Sequence, residues 1–321
     1  MAKVFTMGEA LIDFVPSEKG VELKAVSGFE KAAGGAPANV ACAVARLGGS
    51  SGFIGKLGKD AFGDFLVETM EQLGVDTTRV FRTDQANTAL AFVSLKADGD
   101  RDFSFYRNPS ADMLLNEEEI DGKWFAAGDV LHYCSVDLIE APVKYAHLKA
   151  IRAIKDAGGL VSFDPNVRLP LWNDKEACRQ TILAFIPLSH IVKISEDELA
   201  FITGKEDEEE ALASLFVGDV QHVIYTRGGN GAEWRSRTQR VAVGGHRVTV
   251  ADTTGAGDAF IGSLLYRLHL EPNAAQSISA GRMAEMLAFA NSAAALTTTR
   301  QGAIPALPSK EEVLQFQQIQ K

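Results

Sequence analysis

Three cysteines in 321 residues, Cys42, Cys134 and Cys178, are too few and too far apart for a disulfide framework. They form no CxxC pair and read as buried thiols in a reducing, cytoplasmic setting. The six histidines are scattered, with no HExxH and no mixed His/Cys spacing, so the common zinc arrangements are missing. No stretch approaches the roughly 20 apolar residues of a membrane span. Met1 leads directly into KVFTMGEALIDF, which reads as a first strand and not as a secretion signal. The net charge is −10 and there is no block of Lys and Arg, which argues against a nucleic-acid or anionic-membrane partner. GxxxxGK[ST] is absent, so the chain is not a P-loop enzyme. Neither solenoid-length repeats nor low-complexity linkers interrupt it.

What remains is an ordinary globular composition, 46% hydrophobic and 23% charged. The length suits a large α/β domain with a smaller appendage. Strand-like and helix-like segments alternate. Residues 52–56 read as a strand, and AFGDFLVETMEQL as a helix closed by Gly74. VLHYCSVDL reads as a strand, and APVKYAHLKAIRAIKDA as a helix closed by Gly158-Gly159. LVSFDPN and HIVKIS are further strands, EDELAFIT is a helix ended by Gly204, and QHVIYTRGG opens another unit. This rhythm predicts a doubly wound, mostly parallel sheet covered by helices on both faces.

Two stretches break the pattern. TALAFVSLKADGDRDFSFYRN reads as a hairpin turning at Asp98-Gly99, and residues 14–31 look extended. Together, over about 14–33 and 87–108, they predict a small separate sheet within one domain spanning residues 1–321. Such a sheet suits a lid over the carboxyl ends of the main strands, or a plain insertion. Alternation sets Phe103, Phe105 and Arg107 on one face of the hairpin.

Within ADTTGAGDAF (residues 251–260), Gly255, Ala256 and Gly257 precede an apolar helix that begins with Asp258. Glycines permit a sharp bend and close approach of a ligand, while the first N–H groups of the helix make an anion site. A carboxylate beside an anion hole is what phosphoryl transfer to a hydroxyl requires. Plain capping by Thr254 or Asp258 accounts for the same residues. In AAGGAPANVACAVARLGG (residues 32–49), Gly34-Gly35 again allow close approach, and Asn39 suits either a polyol or a cap. Asp13, after VFTMGEALI, is a third polar candidate. Arg107, Arg168 and Lys193 each follow a strand-like segment, where they suit phosphate or surface ion pairs. Glu198 sits at a helix start, suited to hydrated Mg²⁺ or to the helix dipole. Residues 206–212 read as a solvated helix start.

GGAPANVACAVARLGG and DTTGAGDAF resemble the paired signatures of the ribokinase-like sugar kinases. Order, spacing and intervening units agree over nearly the whole chain. GEALIDFVP, LGGSSGFIGKLG, TALAFVSLKADGDRDFSFYRNPSADMLL, FDPNVRLPLW and VKISEDEL are more particularly similar to fructokinases. The resemblance implies an ATP-dependent kinase of a sugar primary hydroxyl, turning D-fructose and MgATP into fructose 6-phosphate and ADP. It leaves aminoimidazole riboside, 2-keto-3-deoxygluconate or a silent sugar sensor as alternatives. It also implies a ribokinase-like fold whose β lid takes part in a homodimer.

By the same resemblance, Asp258 is the catalytic base and Gly255, Ala256 and Gly257 form the anion hole. The reading of the residues themselves adds Phe103, Arg107 and Arg168 at the sugar and Lys193 at the nucleotide; the resemblance puts Asp13, Gly34, Gly35, Asn39 and Glu140 at the sugar and Thr226, Gly228, Gly231 and Asn291 at the nucleotide. Asp252, Thr254, Thr297, Arg300 and Gly302 surround K⁺, several through backbone carbonyls. The family's NxxE stretch departs here, reading Ser195-Glu196-Asp197-Glu198, so the asparagine of the Mg²⁺ network is missing.

Overall fold

A computed structural model describes residues 2–18, 20–95, 101–271 and 278–319. In chain order the elements are β1 (Val4–Met7), β2 (Leu11–Pro16), β3 (Phe29–Gly34), α1 (Ala36–Arg46), β4 (Ser51–Gly58), α2 (Ala61–Gln72), β5 (Asp76–Thr83), β6 (Ala89–Leu95) and β7 (Arg101–Tyr106). There follow β8 (Val130–Cys134), α3 (Pro142–Asp156), β9 (Leu160–Asp164), α4 (Lys175–Phe185), β10 (Ile191–Ser195), α5 (Glu196–Thr203) and α6 (Glu208–Ser214). The chain ends with β11 (His222–Thr226), β12 (Ala232–Ser236), β13 (Arg240–Val243), α7 (Ala256–Leu268), α8 (Ala280–Thr298) and α9 (Lys310–Ile319).

Among the described residues the main sheet has nine strands in the order β13-β12-β11-β10-β9-β8-β1-β4-β5. All neighbours from β11 to β5 are parallel, and β12 and β13 form an antiparallel edge. Strand alternation feeds two cores. Phe5, Met7, Tyr133, Phe163 and Ile194 face the α3–α6 side, while Val4, Val130, Leu160, Ile191 and Ile224 meet α1, α7 and α8. Helices end where the sequence predicts: Gly74, at φ 88°, follows α2, and Gly204 ends α5 in the left-handed region at φ 68°. The start of α2 is capped by the Asp60 side chain, which accepts from Phe62 N–H and Gly63 N–H. Among the described residues no helix is long and apolar enough to cross a membrane.

The second sheet has the order β3-β2-β6-β7, with β2 and β6 parallel and β6–β7 forming the expected antiparallel hairpin. The Asp98-Gly99 turn lies outside the described residues. One face of this sheet is aromatic: Phe14 stacks on Phe92 at 4.8 Å between centroids and meets Phe62 of α2 edge-on at 5.8 Å. Asp13, Ala91 and Phe105 are in register on the other face.

Two strand expectations need correction. VFTMGEALIDF is not one strand: Gly8, at φ 143°, breaks it, and the halves enter different sheets. Asp13 therefore lies inside β2 and not at a strand end. VLHYCSVDL also stops early, because β8 ends at Cys134 and Val136–Leu138 turn into a 3₁₀ helix.

Candidate active site

The parallel strands deliver their carboxyl ends to one edge of the main sheet, where ligands of open α/β sheets bind. There α7 starts from Gly255 at φ 74°, and a Cβ on Gly255 would lie 2.8 Å from that of Ala303. No side chain caps this helix start. Thr254 turns instead to Asp252, so the simple capping account of GAGD does not hold. Ala256 N–H turns back to the Thr253 carbonyl at 3.3 Å, so the N–H groups that follow it in the first turn of α7 are the ones left for an anion.

Asp258 occupies the first turn of α7, half-buried. Its Oδ2 accepts from Asn39 Nδ2 at 2.8 Å. Loss of hydration raises its pKa above the ordinary aspartate value, while the Asn39 bond and the charges of Arg168 and Lys193 restrain the rise. Asn39, expected at the sugar, therefore bonds Asp258, while its buried Oδ1 has no hydrogen-bond partner. Gly35 starts α1 at φ 100°, where a Cβ would come within 2.5 Å of the Glu9 carbonyl oxygen. Gly34 is needed for a different reason. A Cβ on it would stand 2.1 Å from Asp13 Oδ2, so the Asp13 carboxylate lies directly over this glycine.

Two residues expected near the sugar are engaged by other side chains. Glu140 is exposed, its carboxylate bound to Lys144 at 2.8 Å and to Tyr145 at 2.5 Å, because both partners lie one helical turn ahead on α3. Arg107 is buried and pairs with both Asp112 and Asp137. Of Phe103, only its backbone is described, opposite Val93 in the hairpin. Arg168 is exposed, and its charge reaches Asp258.

Around the residues expected at the nucleotide, Arg227 N–H donates to the Gly231 carbonyl at 2.8 Å and closes the loop that contains Gly228. Thr226 Oγ1 donates to the Ile194 carbonyl at 3.4 Å. A Cβ on Gly231 would lie 2.1 Å from the Val243 carbonyl oxygen. Asn291 of α8 donates to the carbonyls of Val243 and Gly244, each at 3.1 Å, so it joins α8 to the chain beside that loop. Lys193 is buried and paired with Asp164 at 2.9 Å.

Glu198 is fully engaged. Its Oε1 accepts from Val167 N–H at 2.7 Å, and its Oε2 accepts from Ser195 N–H at 3.1 Å and Ser195 Oγ at 2.7 Å. Ser195, which replaces the family's asparagine, closes a capping box with it. Further on, the Asp252 loop and the chain after α8 do face each other. Asp252 Oδ2 accepts from Gly302 N–H at 3.0 Å, and the Thr298 carbonyl accepts from Ala251 N–H and Asp252 N–H. The Thr297 hydroxyl is spent within α8, and Arg300 pairs with Glu312. Among the described residues no group of three or more His, Cys, Asp or Glu side chains gathers as a metal site.

Sequence reasoning missed one cluster. Glu9, Arg107, Asp112 and Asp137 meet at the junction of the two sheets, all buried. Glu9 Oε1 accepts from Ala36 N–H at 3.1 Å, and its Oε2 has no hydrogen-bond partner. Burial pushes Glu9 up to about 7 despite the opposing charge of Arg107. The available signal was a lone carboxylate inside the apolar run VFTMGEALI.

The fold and this edge define a carbohydrate kinase. The pfkB family carbohydrate kinase pattern matches residues 1–310. The chain is 46% identical to Fructokinase-1 of Zea mays over 314 residues, which cover 98% of this chain and 97% of that one. The solved fructokinase of Xylella fastidiosa with bound ATP superposes with a TM-score of 0.91 at 38% identity, covering 99% and 98% of the two chains. A Vibrio cholerae fructokinase double mutant, bound to fructose, ADP and potassium ion, superposes with a TM-score of 0.88 at 36% identity and 98% coverage of both. The chain belongs to the pfkB family of carbohydrate kinases.

Proposed function

We propose that the chain is a fructokinase, transferring the γ-phosphoryl group of ATP to the 6-hydroxyl of D-fructose. The observation that carries this reading is Asp258, held by Asn39 beside the uncapped start of α7. Asp258 takes the hydroxyl proton as the sugar oxygen bonds to phosphorus and the bond to ADP breaks. The N–H groups of α7 stabilise the charge on the moving phosphoryl oxygens. Asp13, over Gly34, accepts from sugar hydroxyls, with Gly35, Asn39 Oδ1 and Arg168 around it. The loop of Thr226, Gly228 and Gly231, with Asn291, receives the nucleotide.

The small sheet is the lid of a single domain covering residues 1–321. It closes over the sugar to exclude water and pairs with a second copy in a cytoplasmic homodimer. Mg²⁺ supplies charge neutralisation to the ATP phosphates. Glu198 fits that ion only through water, since its own oxygens are already bonded. K⁺ fits the loops of Asp252 and Gly302, where it would keep the GAG turn in shape through carbonyls of residues including Thr254, Thr297 and Arg300.

ADP release measured over a panel of sugars tests the reading. Fructose is expected to give the highest kcat/KM, ahead of aminoimidazole riboside and 2-keto-3-deoxygluconate. A higher value for either rival overturns the choice of sugar, and release with none overturns the activity.

A further inference from the structure

β9 ends in Asp164, and the neighbouring strand β10 carries Lys193. Their side chains pair at 2.9 Å with 1% and 8% of their surfaces exposed. The second carboxylate oxygen of Asp164, Oδ1, is buried and has no hydrogen-bond partner. A buried ion pair is a poor stabilising device, since apolar residues of like volume serve as well. Its position points to another use. Lys193 Nζ stands 3.6 Å from where a Cβ on Gly257 would be, so the ammonium lies against the first turn of α7.

The groups facing Lys193 are Asp164 from β9, His132 and Cys134 from β8, Glu198 from α5 and Asp258 from α7. His132 is kept neutral, pushed down to about 3 by burial and by Lys193 itself. Burial also holds the Cys134 thiol protonated, well above its ordinary value. Glu198 is engaged by Ser195 and Val167, and Asp258 by Asn39. Burial opposes the charge on Lys193, and the three carboxylates outweigh it, with Asp164 the largest of them. The chain after Asp164 is pinned as well: Asn166 sits at φ 44°, Val167 N–H is held by Glu198, and Arg168 follows within electrostatic reach of Asp258.

We propose that Asp164 is a positioning residue for phosphoryl transfer, holding the Lys193 ammonium against the start of α7 as a fixed cation for the moving phosphoryl group. The proposal rests on the kinase reading above and adds a residue that touches neither substrate.

The test compares wild type, Asp164→Asn, Lys193→Met and the double variant from pH 6 to 9. Asp164→Asn keeps the shape and removes the charge. Its kcat at neutral pH is expected to fall by roughly 10²-fold, the scale of losing one donor to a developing anion. KM for fructose is expected to change by less than about threefold. The loss deepens as pH rises, because without its carboxylate the buried ammonium gives up its proton, and it shrinks toward pH 6. Lys193→Met shows a similar loss without that added pH component, and the double variant is no worse than Lys193→Met. Asp164→Asn activity within about threefold of wild type at every pH overturns the proposal. So does a loss that parallels the wild-type pH profile, or losses that multiply in the double variant. If Asp164→Asn does not fold, Asp164→Ser carries the same expectations. If the wild type uses another sugar, the fructose reading falls and the comparison proceeds with that sugar. If it uses none, calorimetric binding of MgATP becomes the readout. An affinity loss in Asp164→Asn that deepens with pH then supports the proposal, and unchanged affinity at every pH overturns it.

Discussion

Asn39 Nδ2 donates to Asp258 Oδ2 at 2.8 Å, joining residues 219 positions apart in the sequence. The bond ties the first turn of α1 to that of α7, so the helix that follows Gly34-Gly35 also orients the Asp258 carboxylate. It takes one lone-pair direction of the carboxylate and leaves the rest of it to meet a hydroxyl.

Asp258→Asn is therefore expected to fold and bind sugar but to turn over very slowly. The amide can still offer its oxygen to Asn39, so the inter-helix bond survives, whereas an amide cannot take the hydroxyl proton. A general base is worth about 10²–10⁴ in rate, or roughly 3–5 kcal/mol of barrier. The check is kcat beside a fructose-binding titration and a thermal melt. Retention of more than about a tenth of wild-type kcat removes Asp258 from the role.

Gly34→Ala separates sugar binding from chemistry. The added methyl would lie 2.1 Å from Asp13 Oδ2 and 2.9 Å from its Cγ, so the carboxylate must swing away. KM for fructose should rise by about 10-fold or more, the scale of a lost charged hydrogen bond at a polar site, while kcat changes less. Gly281→Ala is the control, because a Cβ there meets nothing within 4 Å. Equal KM values for the two variants would detach Asp13 from the sugar.

The contrast between Gly35 and Glu9 shows what was legible in the sequence. Gly35 and Gly255 mark the starts of α1 and α7 locally, because each takes a positive φ that glycine supplies, and a bend before a helix shows in residue type alone. Helix ends at Gly74 and Gly204 and the β6–β7 hairpin were readable for the same reason. Glu9, Asp112, Asp137 and Asp164 carry no such local sign. Each is a single carboxylate whose meaning depends on partners from other elements, as with Asp164 and Lys193 on adjacent strands. Asn39 was recognised as polar and near the site, but its partner 219 residues away could not be read from spacing. The break at Gly8 was hidden because apolar residues on both sides continue one hydrophobic run, although they enter two sheets.

Glu9 should set part of the pH dependence of stability. Its value rises from 4.5 in the unfolded chain to about 7 in the fold, so the folded state binds more protons between those limits. Its contribution is therefore complete below pH 4.5 and is lost as pH climbs through 7. Glu9→Gln keeps an oxygen for Ala36 N–H and removes the titration. Against wild type, its melting curves should lack a decline on the order of 2 kcal/mol between those pH values. Parallel profiles for the two proteins would show that the carboxyl is not the titrating group.

Turnover should depend on K⁺ beyond ionic strength. Asp252 already bonds Thr254 and Gly302 N–H, which draws the loop before α7 and the loop after α8 together. Those bonds leave backbone carbonyls as the remaining oxygen donors, a hard set that suits a large monovalent ion. An ion held there would touch neither ATP nor sugar. It would fix the carbonyl side of the turn, so that the N–H side, at Gly257, stays aimed at the phosphoryl group. Such preorganisation acts on kcat more than on KM. The comparison is kcat in K⁺ against tetramethylammonium at matched ionic strength, with saturating fructose and MgATP. Asp252→Asn should lose most of the K⁺ response, because the amide weakens both the loop contacts and the local negative charge. If the wild type runs equally fast in both salts, Asp252 acts only as the brace between the two loops.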